Sequence, residues 1–277
     1  MGPLDEFSRA QAILTTLRSS GRVVVNDLAR QLGVSTVTIR RDLDGLERRS
    51  LLRRVRGGAV GVGGSTEGSF ETRLRDSRAA KQAIARAAAG LVEDGDVIAI
   101  DSSTTGYYLA HELLGHRNLL VVTNSLRLTA LLAEQSTARV LVLGGLLRRS
   151  AGSLVGPACD VVASRGRISK GFFGLTGLSP THGLMDISAE ETQTKQALAK
   201  ACVETFALFH SAKVGGFGLQ TFVPTSMITG LFTDDGAPPE FVRQWSDLGV
   251  QVTLARAGGA PADLMRPPSD PWPRRRP

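Results

Sequence analysis

From residue 7 onward, apolar positions fall at Phe7, Ala10, Ile13, Leu14 and Leu17, the spacing of one helix face, and Gly21 supplies a stop. A second apolar pair, Leu28 and Leu32, comes after Asn26, which is expected to cap its helix, while Gly33 suits the left-handed residue just past a helix end. Only Val34 separates that glycine from Ser35, a further N-cap candidate. Helices joined by so short a glycine-containing turn are the mark of a helix-turn-helix. On a wheel of about 100° per residue, Ile39, Leu43 and Leu46 cluster on one side of the third helix. Val37, Thr38 and Arg41 lie opposite, with Arg40 on the flank. Residues 51–60, "LLRRVRGGAV", then read as strand, glycine turn and strand, a wing with Arg53, Arg54 and Arg56 around its tip.

Past "GVGGSTEGS", residues 61–69, which has almost no side chain to pack and reads as a hinge, the pattern changes. Seven short apolar runs, "VIAI", "LLVV", "VLVL", "GFFGL", "FALF", "MITGLF" and "VQVTLA", alternate with helical stretches. That alternation predicts a mostly parallel sheet covered on both faces. The expected fold class is therefore α/β: a small N-terminal winged helix-turn-helix at residues 1–60, a linker at 61–75 and a larger α/β domain at 76–256. Residues 257–277, rich in Pro and Arg with no apolar period, are expected to form a disordered tail.

The polar residues at the ends of these apolar runs carry the candidate chemistry. The first run ends in Asp101, Ser102, Ser103, Thr104 and Thr105, the second in Thr123, Asn124 and Ser125, the third in Gly144 and Gly145, and the fifth in His210 with Lys213 close behind. Taken singly, each loop could be only a helix cap or a turn. In an open α/β sheet, however, loops at the carboxyl ends of strands converge on one crevice. Hydroxyls and free amides at a helix start favour an anion such as a phosphate, to which Lys213 would add positive charge.

Charge sharpens the reading of the first 60 residues. The chain of 277 residues carries a net charge of +7, and residues 1–60 hold 11 Arg, no Lys and 6 acidic groups, so the excess lies at the ends and an anionic partner is expected for the N-terminal module. The third helix mixes acids and bases in its second half, as a solvated face would. Its first turn and a half carries hydroxyls, a valine and arginines, a set suited to the major groove: Arg donates two hydrogen bonds to guanine, and Val37 or the Thr38 methyl can touch thymine. Ser35, Val37, Thr38, Arg40 and Arg41 are thus the expected readers of double-stranded DNA. Arg54 and Arg56 of the wing are expected on phosphates. Cys159 and Cys202 form no C-x-x-C pair and the four histidines lack ligand spacing, so neither metal nor other cofactor is expected. No apolar run approaches the ~20 residues of a membrane helix and no signal peptide opens the chain, so a reduced, cytoplasmic protein is expected.

Residues 23–59, with "VS..TIRRDL..L" and "RGGA" at their spacing, resemble the winged helix-turn-helix of the DeoR family of bacterial transcription regulators. Residues 70–255 resemble that family's effector domain, in "DSSTT" (usually D-S-G-T-T, with Ser103 at the glycine), "TNSL", "LGG", "E.TQTKQAL" and "TDD". The resemblance implies a fold related to ribose-phosphate isomerases and glucosamine-phosphate deaminases and an effector that is a phosphorylated sugar or related metabolite. "LFHSAKVG" departs from the usual D-x-S-K, with His210 in place of the Asp.

The expected function is a repressor of carbohydrate-metabolism genes, released by a phosphorylated sugar and working as a homo-oligomer, because one winged module contacts little DNA. Two alternatives stand beside it. One is a constitutive DNA-binding oligomer without effector, which His210 would favour. The other is an isomerase- or deaminase-like enzyme, for which Asp101, Asp186, Glu190 and Glu191 are candidate bases although no catalytic motif contains them.

Overall fold

The computed structural model describes residues 5–48, 51–60, 69–156, 167–216 and 218–256. The N-terminal module opens with α1 (Glu6–Ser20), whose first turn is capped by Asp5 accepting from Ser8 N at 2.7 Å and which ends on left-handed Gly21. Strand β1 (Arg22–Val24) leads straight into α2 (Val25–Leu32), and α3 comes next at Thr36–Arg48. The cap expected at Asn26 is not formed. The helix starts two residues earlier, at Val25, because Val25 N donates to Gly57 O at 2.9 Å and continues the pairing of β1 with β3 (Gly58–Val60). Together with β2 (Arg53–Val55), these strands make a three-stranded antiparallel sheet in the order β1-β3-β2. Gly58 is required there, since a Cβ would stand 1.9 Å from Val23 O. Ile13, Leu28, Ile39, Leu43 and Leu46 form the buried centre of the module.

Within the span read as linker, residues 61–68 lie outside the described residues. Residues 70–75 form α4 (Phe70–Arg75), capped by Ser69, and bury Phe70. Next come α5 (Arg78–Ala89), β4 (Val97–Ile100), α6 (Thr104–Glu112), β5 (Leu120–Thr123), α7 (Leu126–Gln135), β6 (Arg139–Val142), and the hairpin β7 (Leu146–Arg148) and β8 (Ser153–Val155). After β9 (Ile168–Phe173), β10 (Gly177–Ser179) and β11 (Gly183–Asp186), the chain runs through α8 (Ala189–Ala201), β12 (Cys202–Leu208), β13 (Gln220–Val223), β14 (Gly230–Asp234), α9 (Pro239–Ser246) and β15 (Gln251–Ala255). The residues expected to form a tail, 257–277, lie outside the described residues, as does Cys159.

Each of the seven apolar runs contributes a strand to one seven-stranded parallel sheet, ordered β15-β14-β12-β9-β4-β5-β6. Alternation along each strand serves two cores. Ile98, Ile100 and Phe172 face α5, α6 and α7, whereas Ala99 and Phe173 face the side of α8, α9 and the small sheet β10-β11-β13. From β4 the chain builds outward through β5 to β6, then returns to β9 on the other side of β4. The order therefore reverses between β4 and β9, and the carboxyl ends of those two strands flank the crevice where such sheets take ligands.

Candidate DNA-reading helix and effector crevice

The third helix is held rigidly before it can read anything. Ser35 caps it, accepting from Thr38 N at 3.0 Å, and the Ser35 and Thr38 hydroxyls lie 2.8 Å apart. On the inner side, besides Ile39, Leu43 and Leu46, Asp42 is buried and accepts from Arg9 Nε and Nη2 of α1 at 2.7 and 3.0 Å. A bidentate, charge-assisted pair of this kind fixes the roll of α3 on α1. Outward, Val37 is 70% exposed, and Arg40 and Arg41 are exposed beside it.

In the wing the arginines divide. Arg54 donates through its guanidinium to Arg40 O at 3.1 Å, to Gly58 O at 3.3 Å and to Asp44, while its amide donates to Glu47 Oε1 at 2.6 Å. It straps the wing to α3 through Nε and Nη1, so much of the guanidinium expected on phosphates is engaged inside the module. Arg53 and Arg56 remain exposed.

At the reversal point Asp101 ends β4 wholly buried, accepting from Ser103 N at 3.0 Å and, through its other oxygen, from Gly174 N at 2.9 Å. Lys195 reaches in from α8, its Nζ 3.0 Å from Asp101 Oδ2 and 2.8 Å from Asp186 Oδ2, and it donates to Gly174 O at 2.9 Å. Burial opposes the charge of Lys195, but Asp101, Asp186 and Glu191 outweigh it and raise its pKa. Burial also opposes ionisation of Asp186, and Lys195 with two backbone amides overcomes this and holds its carboxyl below the ordinary value.

One helical turn from Lys195, Glu191 gathers the neighbouring loops. Its Oε1 accepts from Arg148 Nη1 at 2.8 Å, from Ser102 Oγ at 3.4 Å and from Ser153 Oγ, and its Oε2 accepts from Asn124 Nδ2 at 3.3 Å. Asn124 Oδ1 is buried with no hydrogen-bond donor. Ser103 caps α6 by accepting from Gly106 N at 3.0 Å, and Thr104 and Thr105 are buried in that helix's first turn. Thr123 accepts from Ser125 N at 3.1 Å. Gly144 and Gly145 form the turn into the β7-β8 hairpin. Gly145 is needed for the close approach, since a Cβ there would stand 2.3 Å from Val155 O.

The structure places His210 and Lys213 apart from this network, beyond β9 at the end of β12. His210 is buried, with Nε2 4.0 Å from Asp76 Oδ2, and burial, then Lys81 and Lys213, lower its pKa. Lys81, also buried, donates to Asp76 O at 2.7 Å and to Arg73 O, and burial pushes its pKa down to about 8. Ser211 donates to Asp234 at the end of β14. The crevice edge thus has an acid-rich end around Glu191 and a mixed end around His210, where Lys81 and Lys213 face Asp76 and Asp234.

Lys195, Arg148, Ser153, Lys81 and Arg9 were not among the residues expected from sequence. The signal for Lys195 was present: Glu191 and Lys195 stand four apart in "ETQTK", a charged pair on one helix face. Arg9 could have been sought from Asp42, which the wheel puts next to the buried face. Arg148 and Ser153 come from a hairpin that has no strong alternation of its own. Among the described residues no group of three His, Cys, Asp or Glu could hold a metal ion, and no helix is long and apolar enough to cross a membrane.

Comparison with known proteins places these features in context. Residues 9–62 match a family model described as a DeoR-like helix-turn-helix domain, and residues 76–235 match one described as a DeoR C terminal sensor domain. The chain is 28% identical over 251 residues to a glycerol-3-phosphate regulon repressor of Escherichia coli (strain K12), covering 91% of this chain and 100% of that one. It is 30% identical over 250 residues to the HTH-type transcriptional regulator GolR of Listeria innocua, covering 90% and 98%. It is 31% identical over 237 residues to a lactose phosphotransferase system repressor of Staphylococcus epidermidis, covering 84% and 93%. Among solved structures, a ribose 5-phosphate isomerase A of Methanocaldococcus jannaschii aligns with a TM-score of 0.37 at 16% identity, over 48% of this chain and 53% of that one.

Proposed function

Because the chain belongs to the DeoR family of transcription regulators, we propose that it is a sequence-specific DNA-binding repressor of carbohydrate-metabolism genes, released when a phosphorylated sugar enters the crevice. The observation that carries this reading is the outward face of α3, where Val37, Arg40 and Arg41 are exposed on a helix locked by Arg9 and Asp42. Such a face can enter a major groove without first having to order itself. The relatives are named for repression of glycerol-3-phosphate and lactose phosphotransferase systems, which favours a phosphorylated sugar or polyol as effector.

The crevice supports an assignment of parts. The first turn of α6, with Thr104 and Thr105, offers amides and hydroxyls to a phosphate, and His210 and Lys213 stand further along the same sheet edge. Asn124 Oδ1, buried without a donor, suits a sugar hydroxyl. The arrangement speaks against an isomerase. A general base must be free to take a proton from carbon, yet Glu191 accepts from four side chains, while Asp101 and Asp186 share the Lys195 ammonium. The working form proposed is a cytoplasmic homo-oligomer on repeated half-sites, since a single small module buries roughly 600–1,000 Å² on DNA.

Thermal-shift measurements with a panel of phosphorylated sugars and their free sugars, paired with turnover assays, test this reading. A ligand at one hundred times its Kd adds about 2.7 kcal/mol of stability. The expected result is stabilisation by a phosphorylated member and not by its free sugar, with no product formed. Turnover would make the protein an enzyme, and a flat panel would leave a constitutive DNA-binding protein.

A further inference from the structure

One apolar side chain of the sensor domain is buried outside the sensor domain. Leu219, just before β13, is 8% exposed and belongs to the buried cluster of the N-terminal module, which includes Ala10, Ile13 and Leu14 of α1. Gln11, also on α1, donates through Nε2 to Leu219 O at 2.6 Å. The knob is therefore held by its side chain and by its backbone.

Its other attachments lead to the crevice. Leu219 N donates to Asp186 O at 2.8 Å, and the Asp186 carboxylate receives Lys195, which also holds Asp101 at the end of β4. The two glycines between Lys213 and Leu219 that lie nearest to it are packed without slack. A Cβ on Gly218 would stand 2.2 Å from Met185 Cβ, and one on Gly216 would stand 2.6 Å from Thr176 O. Close packing of this kind transmits a shift rather than absorbing it. Beyond Leu219, α1 carries Arg9, whose guanidinium grips Asp42 of the recognition helix.

We propose that Leu219 is the positioning residue through which the sensor domain holds the DNA-binding module, so that rearrangement around Asp101, Lys195 and Asp186 is carried through α1 to α3. The coupling part rests on the effector reading above. The holding part does not, because it stands on the contacts of Leu219 alone.

The test uses the full chain with the substitutions Leu219→Ala, Leu219→Met and Gln11→Ala. Operator affinity is measured with and without whichever phosphorylated sugar stabilises the wild type, and sugar affinity is measured directly. Coupled sites typically alter each other's affinity by ~5- to 150-fold. Leu219→Ala and Gln11→Ala are expected to move that ratio toward unity while sugar affinity is kept, and Leu219→Met is expected to restore it. A residue that only stabilised the module would weaken DNA binding equally with and without sugar, and an unchanged ratio in Leu219→Ala overturns the coupling. Should no sugar act on the wild type, the effector reading and the coupling both fail. Hydrogen exchange then decides the holding role: faster exchange in α1 of Leu219→Ala, with the β4-β5-β6 strands unaffected, supports it, and unaltered exchange in α1 overturns it.

Discussion

Lys195 places its ammonium 3.0 Å from the Asp101 carboxylate at the point where the parallel sheet reverses its strand order, and both side chains are buried. Asp186 closes the other side at 2.8 Å, so one cation serves two acids away from water. Such a group stays ionised only as a set, because desolvation penalises each charge that loses its counter-charge. The crevice floor thus brings one cation and two acids into a single buried cluster.

Replacing Lys195 by Met is expected to destabilise the sensor domain by about 3–5 kcal/mol, the usual cost of stranding one side of a buried ion pair. The pH dependence should also change sign. In the wild type, Asp186 titrates below its ordinary 3.8, so its contribution is present above that value and is lost as pH falls through the lowered one. Lys195 titrates above its ordinary 10.5, and its contribution is lost only as pH rises past the raised value. In Lys195→Met the stranded Asp186 carboxyl is expected to bind a proton more readily folded than unfolded, so stability should rise on acidification. Urea midpoints between pH 7 and pH 4 check this, and parallel slopes for the two proteins would refute it.

For DNA binding, three arginines should give three signatures. Arg41→Ala is expected to cost about 1–3 kcal/mol on the operator and to relax base preference. Arg56→Ala should weaken all sequences alike and lower the salt slope by about one unit. Arg54→Ala should lower affinity with the salt slope kept, because its guanidinium is bound to Arg40 O, Gly58 O and Asp44. Filter binding on operator and random DNA across a salt series separates them.

His210 should make effector binding depend on pH. Burial, with Lys81 and Lys213 adding to it, lowers its pKa below 6.5, so it is neutral in the empty protein at pH 7. A phosphate brought close would raise that pKa, and a group whose pKa rises on binding gains affinity as pH falls. The gain should set in as pH falls through the raised pKa of the bound state and level off below the lowered pKa of the free protein, after correction for titration of the phosphate itself. His210→Gln and His210→Asp should abolish it in calorimetric titrations, and profiles matching the wild type would remove His210 from the site.

Much of this architecture was legible in the sequence because it arises from periodicity. Runs such as "VIAI" and "FALF" are apolar on both faces, as strands between two layers of helices must be, and each became a strand of the parallel sheet. Ser35 and the wheel of α3 also announced themselves locally. What stayed hidden depends on contacts between distant segments. The Asn26 cap failed because pairing between β1 and β3, a tertiary event, set the start of α2. Arg54 looked like a phosphate ligand because its partners, Asp44 and Gly58 O, meet it only once the wing folds back. Among the crevice residues, Asp101, Ser102 and Asn124 were visible as strand-end polar groups. Glu191, which joins two of them, lies in a helix some 67 residues beyond Asn124, a separation no local pattern reports.

Control of sequence-specific DNA binding by a phosphorylated sugar can be read out by sequencing the genomic fragments that the purified full chain retains, with and without each member of a phosphosugar panel. The retained fragments are expected to share a repeated half-site motif, and one phosphorylated sugar, but not its free form, is expected to release them. Retention of fragments with no common motif, or retention of the same motif undiminished by every phosphorylated sugar, would contradict that control.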